Sequence, residues 1–242
     1  MSEWKAKRFW KEAAVVEVGD RFTVELDGRP VKTPAKQAML VPTQAMADAI
    51  ALEWDAQVDA INPNTMPVTK TANAAIDKVT VQHAEVAEML AAYGDSDLLC
   101  YRADAPEELV ERQAAQWNPM LEWAAETLGA QLETRTGVIH APQNPKSVEL
   151  LRKRTHELDF FELAAFHDLV SLSGSLVLGF AAALGERPAE ELWIISRLDE
   201  IWQEELWGED DDATSLANVK REAFIHAKRM FDLAQPILSP DF

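Results

Sequence analysis

The stretch EWDAQVDAINPNTMPVTKTANAAIDKV, Glu53 to Val79, decides how the chain divides. Its first residues close an amphipathic pattern. Met46, Ile50, Trp54 and Val58 recur every four residues, so they fall on one stripe of a helix that Thr43 can cap. Pro63 and Pro67 are expected to end that helix, because proline removes a backbone donor and clashes with the preceding turn. From Thr69 a second helical pattern begins, with Ala72, Ile76 and Val79 facing inward. The segment therefore reads as an inter-domain joint built on Trp54, Pro63, Met66, Pro67, Thr69 and Asn73. Asn64, Thr65 and Asn73 are expected to hydrogen-bond the backbone left open at the break.

Upstream of the joint the period is that of strands. AAVVEV and RFTVELDGRPVKTP are rich in β-branched residues, and Phe22, Val24 and Leu26 alternate with Thr23 and Glu25. Asp27-Gly28 is a hairpin-turn dipeptide, since glycine accepts the positive φ that such turns need. AMLVP, residues 38–42, reads as a further short strand.

Downstream the chain reads as nearly all helix. Gly94 is placed to close the first helix, and Pro106 opens the next. Asn118-Pro119 reads as another start, with asparagine as the cap, proline at the first position and Glu122 completing a capping box. AQLETRTGVIHAP, residues 130–142, is an extended excursion. NPKSVELLRKRTHEL follows as a helix. DFFELAAFHDLVSLSGSLVLGFAAALG reads as one more, capped by Asp159 with Glu162 three residues on. RPAEELWIISRLDEIWQEELWG and DATSLANVKREAFIHAKRMFDLAQ complete the bundle. The expected fold class is α+β. Residues 1–67 form a small N-terminal antiparallel β-rich domain with one packed helix, and residues 68–242 form a larger all-helical domain.

Composition narrows the function. Of the 242 residues 48% are hydrophobic, enough for a core, and the formal net charge is -18. Such a surface repels nucleic-acid backbones and anionic membranes, and it favours basic or mixed-charge partners. The start of the chain has no apolar core of a secretory signal. The most apolar run, Leu169 to Gly185, is shorter than the roughly 20 residues of a membrane span and contains serines and glycines, so it reads as a buried core helix rather than a membrane insertion. Cys100 is the only cysteine, which excludes an intrachain disulfide and fits a reducing compartment. Its apolar neighbours in DLLCYR mark it as a buried structural thiol.

Catalytic and cofactor signatures are missing. The sequence has no phosphate-binding loop, no dinucleotide fingerprint and no nucleophile elbow, and the serines of LSGSLVLG read as packing contacts within an apolar helix. The five histidines, His83, His140, His156, His167 and His226, include no pair four residues apart such as a helical zinc site uses. Between Glu186 and Asp212 stand eleven acidic and two basic residues. Consecutive side chains diverge, so Glu209 to Asp212 do not all converge on one ion, and the spacing and glycine of a calcium-binding loop are absent. A solvated loop and helix cap, an anionic docking patch and a divalent-cation site all remain open for this cluster.

Eight tryptophans, at positions 4, 10, 54, 117, 123, 193, 202 and 207, exceed what a core of this size needs. In RLDEIWQEELWG, Trp202 and Trp207 are interleaved with Glu200, Glu204 and Glu205. Tryptophan beside charge is the composition of interaction hot spots.

Taken in order, RFWKEAAV, VELDGRPVKTP, LVPTQAMADAIALEWDAQ, INPNTMPVTKTANAAID, SDLLCYRADAPEELVERQAAQWNPMLEWA and SRLDEIWQEELWGEDDDA resemble the ATP synthase assembly factor twelve family. The likeness runs from about Arg8 to Phe231 and is most specific around Trp54, Met66, Pro67 and Thr69. It implies a chaperone, not an enzyme. Its partner would be the free α subunit of the F-type ATP synthase catalytic head, held soluble until β subunits displace it, without cofactor or metal. The family's acidic client-binding segment would correspond here to Glu200, Gln203, Trp207, Gly208, Glu209 and Asp210. The eukaryotic pattern of the family has an acidic-His-Asp run after the Trp-Gly pair, where this chain has EDDDA.

The expected protein is monomeric when free. With no transit peptide it is expected in the cytoplasm of a bacterium, whereas eukaryotic relatives act in the mitochondrial matrix. Two other functions are open on the residues alone: a metal-dependent enzyme using the acidic cluster 199–212, and a scaffold for another complex.

Overall fold

The computed structural model describes residues 7–137 and 139–236. Trp4 and Val138 lie outside the described residues. The chain packs as two compact units. The first takes residues up to Gln82, Phe160–Ala165 and the segment from Arg229, and the second takes His83–Asp159 and Phe166–Lys228. The division expected between residues 67 and 68 thus falls inside the first unit. The fold class is α+β, as the sequence indicated.

In the first unit, strands β1 (Ala13–Val18), β2 (Arg21–Leu26) and β3 (Arg29–Pro30) form an antiparallel sheet in that order. The β2–β3 turn is Asp27-Gly28, both at positive φ (49° and 77°), as a two-residue hairpin loop requires. The Asp27 carboxylate accepts from the backbone N–H groups of Glu12 and Lys11, which holds its pKa below the usual carboxylate range. Residues 38–42 do not form a strand. They make only isolated bridges, Lys32 to Ala38 and Phe22 to Val41.

Helix α1 (Gln44–Asp55) starts where Thr43 accepts from the Met46 N–H and lies on β1 and β2. Met46 and Ile50 are fully buried beneath it, with Val24 and Leu26 of the sheet. The helix ends at Asp55, well before Pro63, so Val58 lies beyond it and is 78% exposed. The fourth position of the expected stripe is therefore not part of it.

Pro63 opens a single 3-10 turn, and Pro67 is the first residue of α2 (Pro67–Ala74). That helix has no cap from its own preceding residue. The carboxylate of Glu53 serves instead, accepting from Val68 N (2.7 Å), Thr69 N (2.8 Å) and Thr69 Oγ1 (2.7 Å). A carboxylate suits this end, where backbone donors are unpaired and the helix dipole is positive. The helical path continues through a π turn (Ala75–Val79) into α3 (Thr80–Ala91), with a kink at Gln82.

Gly94 does not cap α3. It sits in a 3-10 turn (Ala92–Asp95), and a Cβ there would stand 3.2 Å from Leu151 Cδ1 and 3.3 Å from Leu176 Cδ2. Close packing, rather than a left-handed cap, explains this glycine. Short strand β4 (Tyr101–Arg102) pairs in parallel with β5 (Arg135–Thr136).

Between those strands, α4 runs unbroken from Glu107 to Trp123 with Pro119 inside it. Asn118 is therefore an exposed mid-helix residue and not a cap. Proline costs the helix one hydrogen bond. Trp117, Met120 and Leu121 on either side are buried, and Trp117 Nε1 donates to the Ile195 carbonyl at 2.9 Å, so both halves are held in line. Helix α5 (Pro145–Glu157) is capped by Asn144.

The apolar run is two helices, not one. Helix α6 (Phe160–Ser173) ends at Gly174 (φ 70°), and Ser175 caps α7 (Leu176–Ala183) through Leu178 N. Ser175 Oγ also donates to Asp97 Oδ1 (2.7 Å), and Asp97 Oδ2 accepts from Val177 N (3.0 Å). Asp97 is wholly buried. Burial pushes its carboxyl up, and the donors of Val177, Ser175 and Leu99 pull it back. The serines are thus polar fixtures of a helix start. The tail of the bundle is also broken once more than expected: α8 (Ala189–Ser196) and α9 (Leu198–Trp207) meet at Arg197, and α10 (Asp211–Ala234) follows.

Candidate functional site

The base of α9 is firmly seated. Leu198 is buried, Gln113 donates to Asp199 Oδ1 (2.7 Å), and Arg197 pairs with Glu204 (3.0 Å). Arg112 of α4 grips the Glu205 carboxylate with two bonds, 2.5 and 2.9 Å, while its guanidinium lies over the Trp202 ring. That pairing lowers the pKa of Glu205 and raises that of Arg112. One side of α9 is thereby committed to its own protein.

The other side is not. Glu200, Gln203 and Trp207 occur at i, i+3 and i+7, so they share one helix face, and all three are exposed. The helix stops at Gly208 (φ 89°). Glu209 is exposed, and Asp210 caps α10 through Ala213 N at 2.8 Å. The structure thus places the six sequence-predicted binding residues on the open face of α9 and in the turn that follows it.

No residue from Asp199 to Ala223 is buried, although almost all of them are helical. Among the described residues Trp207, 79% exposed, is the one exposed tryptophan. A helical hairpin that fully buries none of its side chains, and carries an open tryptophan, has the surface of an interaction element. Sequence reasoning missed part of that surface. Leu206, Leu216 and Val219 are each more than half exposed. The signal for the last two was the apolar stripe of α10, which reads as core unless one knows where the core stops.

The six residues read as an inter-domain joint all lie in the first unit. They shape the path from α1 to α2. Trp54 packs edge-on against Trp10 (ring centroids 5.2 Å apart), Met66 is buried, and Pro63, Pro67 and Thr69 set the turns described above. Asn73 Oδ1 is enclosed without a hydrogen-bond partner, and Asn62, not Asn64, supplies the side-chain cap of the 3-10 turn. Gln57, which the sequence reading passed over, ties the loop together through Asn62 N (2.7 Å), Thr65 Oγ1 (3.1 Å) and the Glu53 carbonyl (3.0 Å).

For catalysis the geometry offers little. Cys100 is fully buried and its thiol is pushed up to about 12 by that burial, so it is not a nucleophile at neutral pH. Among the described residues no group of three or more His, Cys, Asp or Glu side chains is placed to hold a metal ion. Within residues 199–212, Asp199, Glu204, Glu205 and Asp210 are each engaged by a separate partner. Among the described residues no helix is long and apolar enough to cross a membrane.

Comparison with known proteins bears on the whole chain. A sequence model of the family described as ATP12 chaperone protein matches residues 7–125. The mitochondrial protein atp12 of Schizosaccharomyces pombe is 29% identical over 224 residues, 88% of this chain and 77% of that one. The crystal structure of Atp12 from Paracoccus denitrificans superposes with a TM-score of 0.94 at 46% identity, covering 96% of this chain and all of the other. A chaperone candidate from Agrobacterium tumefaciens gives a TM-score of 0.89 at 39% identity, over 95% of this chain and 86% of its own. The hairpin lies outside the segment matched by the family model but inside the span of the solved relatives.

Proposed function

Because the chain belongs to the ATP12 chaperone protein family, which serves ATP synthase assembly, we propose that its client is the free α subunit of F-type ATP synthase and that the α9–α10 hairpin docks it. The observation that carries the docking assignment is the exposure of Trp207, beside Glu200, Gln203, Glu209 and Asp210, on a hairpin with no buried residue from Asp199 to Ala223.

The mechanism is holding and release. A subunit that buries large faces in its assembly exposes them when alone and aggregates. A chaperone that covers such a face keeps the subunit soluble by mass action, and a β subunit that binds more tightly displaces it. No covalent chemistry, nucleotide or metal is needed. The net charge of -18 steers the protein toward a client surface with basic character and away from nucleic acid and anionic lipid. The likeness to bacterial proteins supports a site of action in a bacterial cytoplasm, with a free monomer as the acting species.

The test is co-expression with the α subunit, followed by size-exclusion chromatography. Wild type is expected to co-elute with soluble α subunit, and the Trp207→Ala and Glu200→Lys/Glu209→Lys variants to lose much of that complex. If α subunit neither co-elutes with wild type nor gains solubility from it, the reading fails.

A further inference from the structure

Helix α10 carries one apolar stripe along its length: Leu216, Val219, Ala223, Ala227, Met230 and Ala234, with steps of three or four residues. Its C-terminal half does what such a stripe does in a folded protein, since Ala227, Met230 and Ala234 are buried. Ala223 is half-buried. Leu216 and Val219 are 56% and 65% exposed, and among the described residues nothing is laid over them. The stripe therefore runs on for two turns past the end of its cover.

Helix α9 does not supply that cover. The side of α10 facing α8 and α9 is the opposite one, where Thr214, Ala217, Asn218 and Arg221 line a cleft of about 200 Å³ with Trp193 and Ile194. Around the helix axis those four residues centre roughly half a turn from Leu216 and Val219 at ~100° per residue.

We propose that the Leu216–Val219–Ala223 face is the apolar anchor for the client, and that it receives an amphipathic helix of the α subunit flanked by basic residues. This rests on the docking reading above and assigns the binding energy within it. A straight ridge with three- and four-residue spacing fits the groove of another helix. The charges beside it favour a basic flank: Asp211 and Asp212 precede it and Glu209 lies in the turn, against one exposed basic residue, Lys220, while Glu222 alongside is paired with Arg221 at 2.9 Å. A second copy of this chain would bring the same acidic surface and a like net charge of -18, which opposes self-association. In this arrangement the acidic residues steer and select, while the apolar pair sets the residence time.

The experiment measures binding of free α subunit to the full-length chain at several salt concentrations. It compares wild type with Leu216→Ser/Val219→Ser and with Glu200→Lys/Glu209→Lys, which leaves the Asp210 cap of α10 in place. Both positions of the first variant are exposed, so its melting curve should match wild type and serves as the folding control. The apolar variant is expected to weaken binding about tenfold or more with an unchanged salt dependence. The charge variant is expected to flatten the salt dependence. If the apolar variant binds like wild type while the charge variant does not, this inference falls and the docking reading stands. If wild type itself does not bind α subunit, both fall. If wild type is a dimer and Leu216→Ser/Val219→Ser makes it monomeric, the face belongs to a second copy and the inference is overturned.

Discussion

Glu53 shows how one side chain can set a chain path. It stands in the last turn of α1, yet its carboxylate satisfies two backbone donors and one hydroxyl at the start of α2. Replacing it with alanine leaves those donors without their acceptor. Hydrogen bonds to a charged group are worth about 1.5–3 kcal/mol, so Glu53→Ala should lower unfolding stability by about 2–3 kcal/mol, and Glu53→Gln by less. Urea denaturation of the two variants checks this. At the other extreme of burial, Cys100 should resist a thiol reagent in the native protein and react fully once urea unfolds the chain. Rapid native labelling would contradict both its burial and its raised pKa.

His167 gives a pH-dependent case. The Asp168 carboxylate, 2.9 Å from Nδ1, raises its pKa above the usual histidine value against an opposing desolvation effect. A raised folded pKa means that the pair's stabilisation is fully present below the unfolded pKa, roughly 6.5, and is lost as pH rises through the folded value. The wild type minus Asp168→Asn difference in denaturation midpoint should therefore be larger at pH 5.5 than at pH 8.5.

At the scale of elements, the strongest constraint is the approach of α6 and α7. A Cβ on Gly179 would stand 2.6 Å from Val170 Cγ2, and the branched Val170 side chain has little room to turn within its helix. Gly179→Ala gains up to about 1 kcal/mol in helix propensity but overpacks a tight contact, so a net loss of about 1–2 kcal/mol is expected. A melting temperature equal to or above wild type would show that the contact yields more easily than its geometry implies. This close pair also explains why element boundaries were only partly legible in the sequence. The period-2 run of β2, the Asp27-Gly28 turn, the Thr43 cap and the Asn144-Pro145 start are local chemistry, and each was readable. The break at Gly174-Ser175 was hidden because residues 169–185 are apolar on every face, so no change of periodicity marks it. Its reason is the distant acceptor Asp97. Pro119 misled in the opposite sense. Locally it reads as a helix start, but the burial of Trp117, Met120 and Leu121 carries α4 straight through it. The candidate segment of α9 was reached through the family resemblance and its mix of tryptophan and charge, and that Glu200, Gln203 and Trp207 share one exposed face is a finding of the structure. The exposed stripe of α10 was not legible, because periodicity shows where a face is and never whether another element covers it.

At the scale of the whole molecule, burial is distributed unevenly along the chain. Helix α7 is buried at every residue, from Leu176 to Ala183, whereas the hairpin from Asp199 to Ala223 has no buried residue. Local opening costs little where few apolar contacts are lost, so backbone amides of the hairpin should exchange with solvent far faster than those of α7. The base of α9 should be the exception, slowed by the Arg112–Glu205 and Gln113–Asp199 bonds. Hydrogen exchange read by mass spectrometry can follow peptides covering residues 176–183, 198–206 and 207–223 in parallel. In the free protein the expected order of protection is the first above the second above the third. On addition of free α subunit the third should gain the most protection and the first should not change. The proposed docking requires this pattern, because an element ordered by its partner must gain contacts that its own fold does not supply. Residues 207–223 already exchanging as slowly as α7 in the free protein, or staying unprotected in a complex that forms, would mean that the client is held elsewhere.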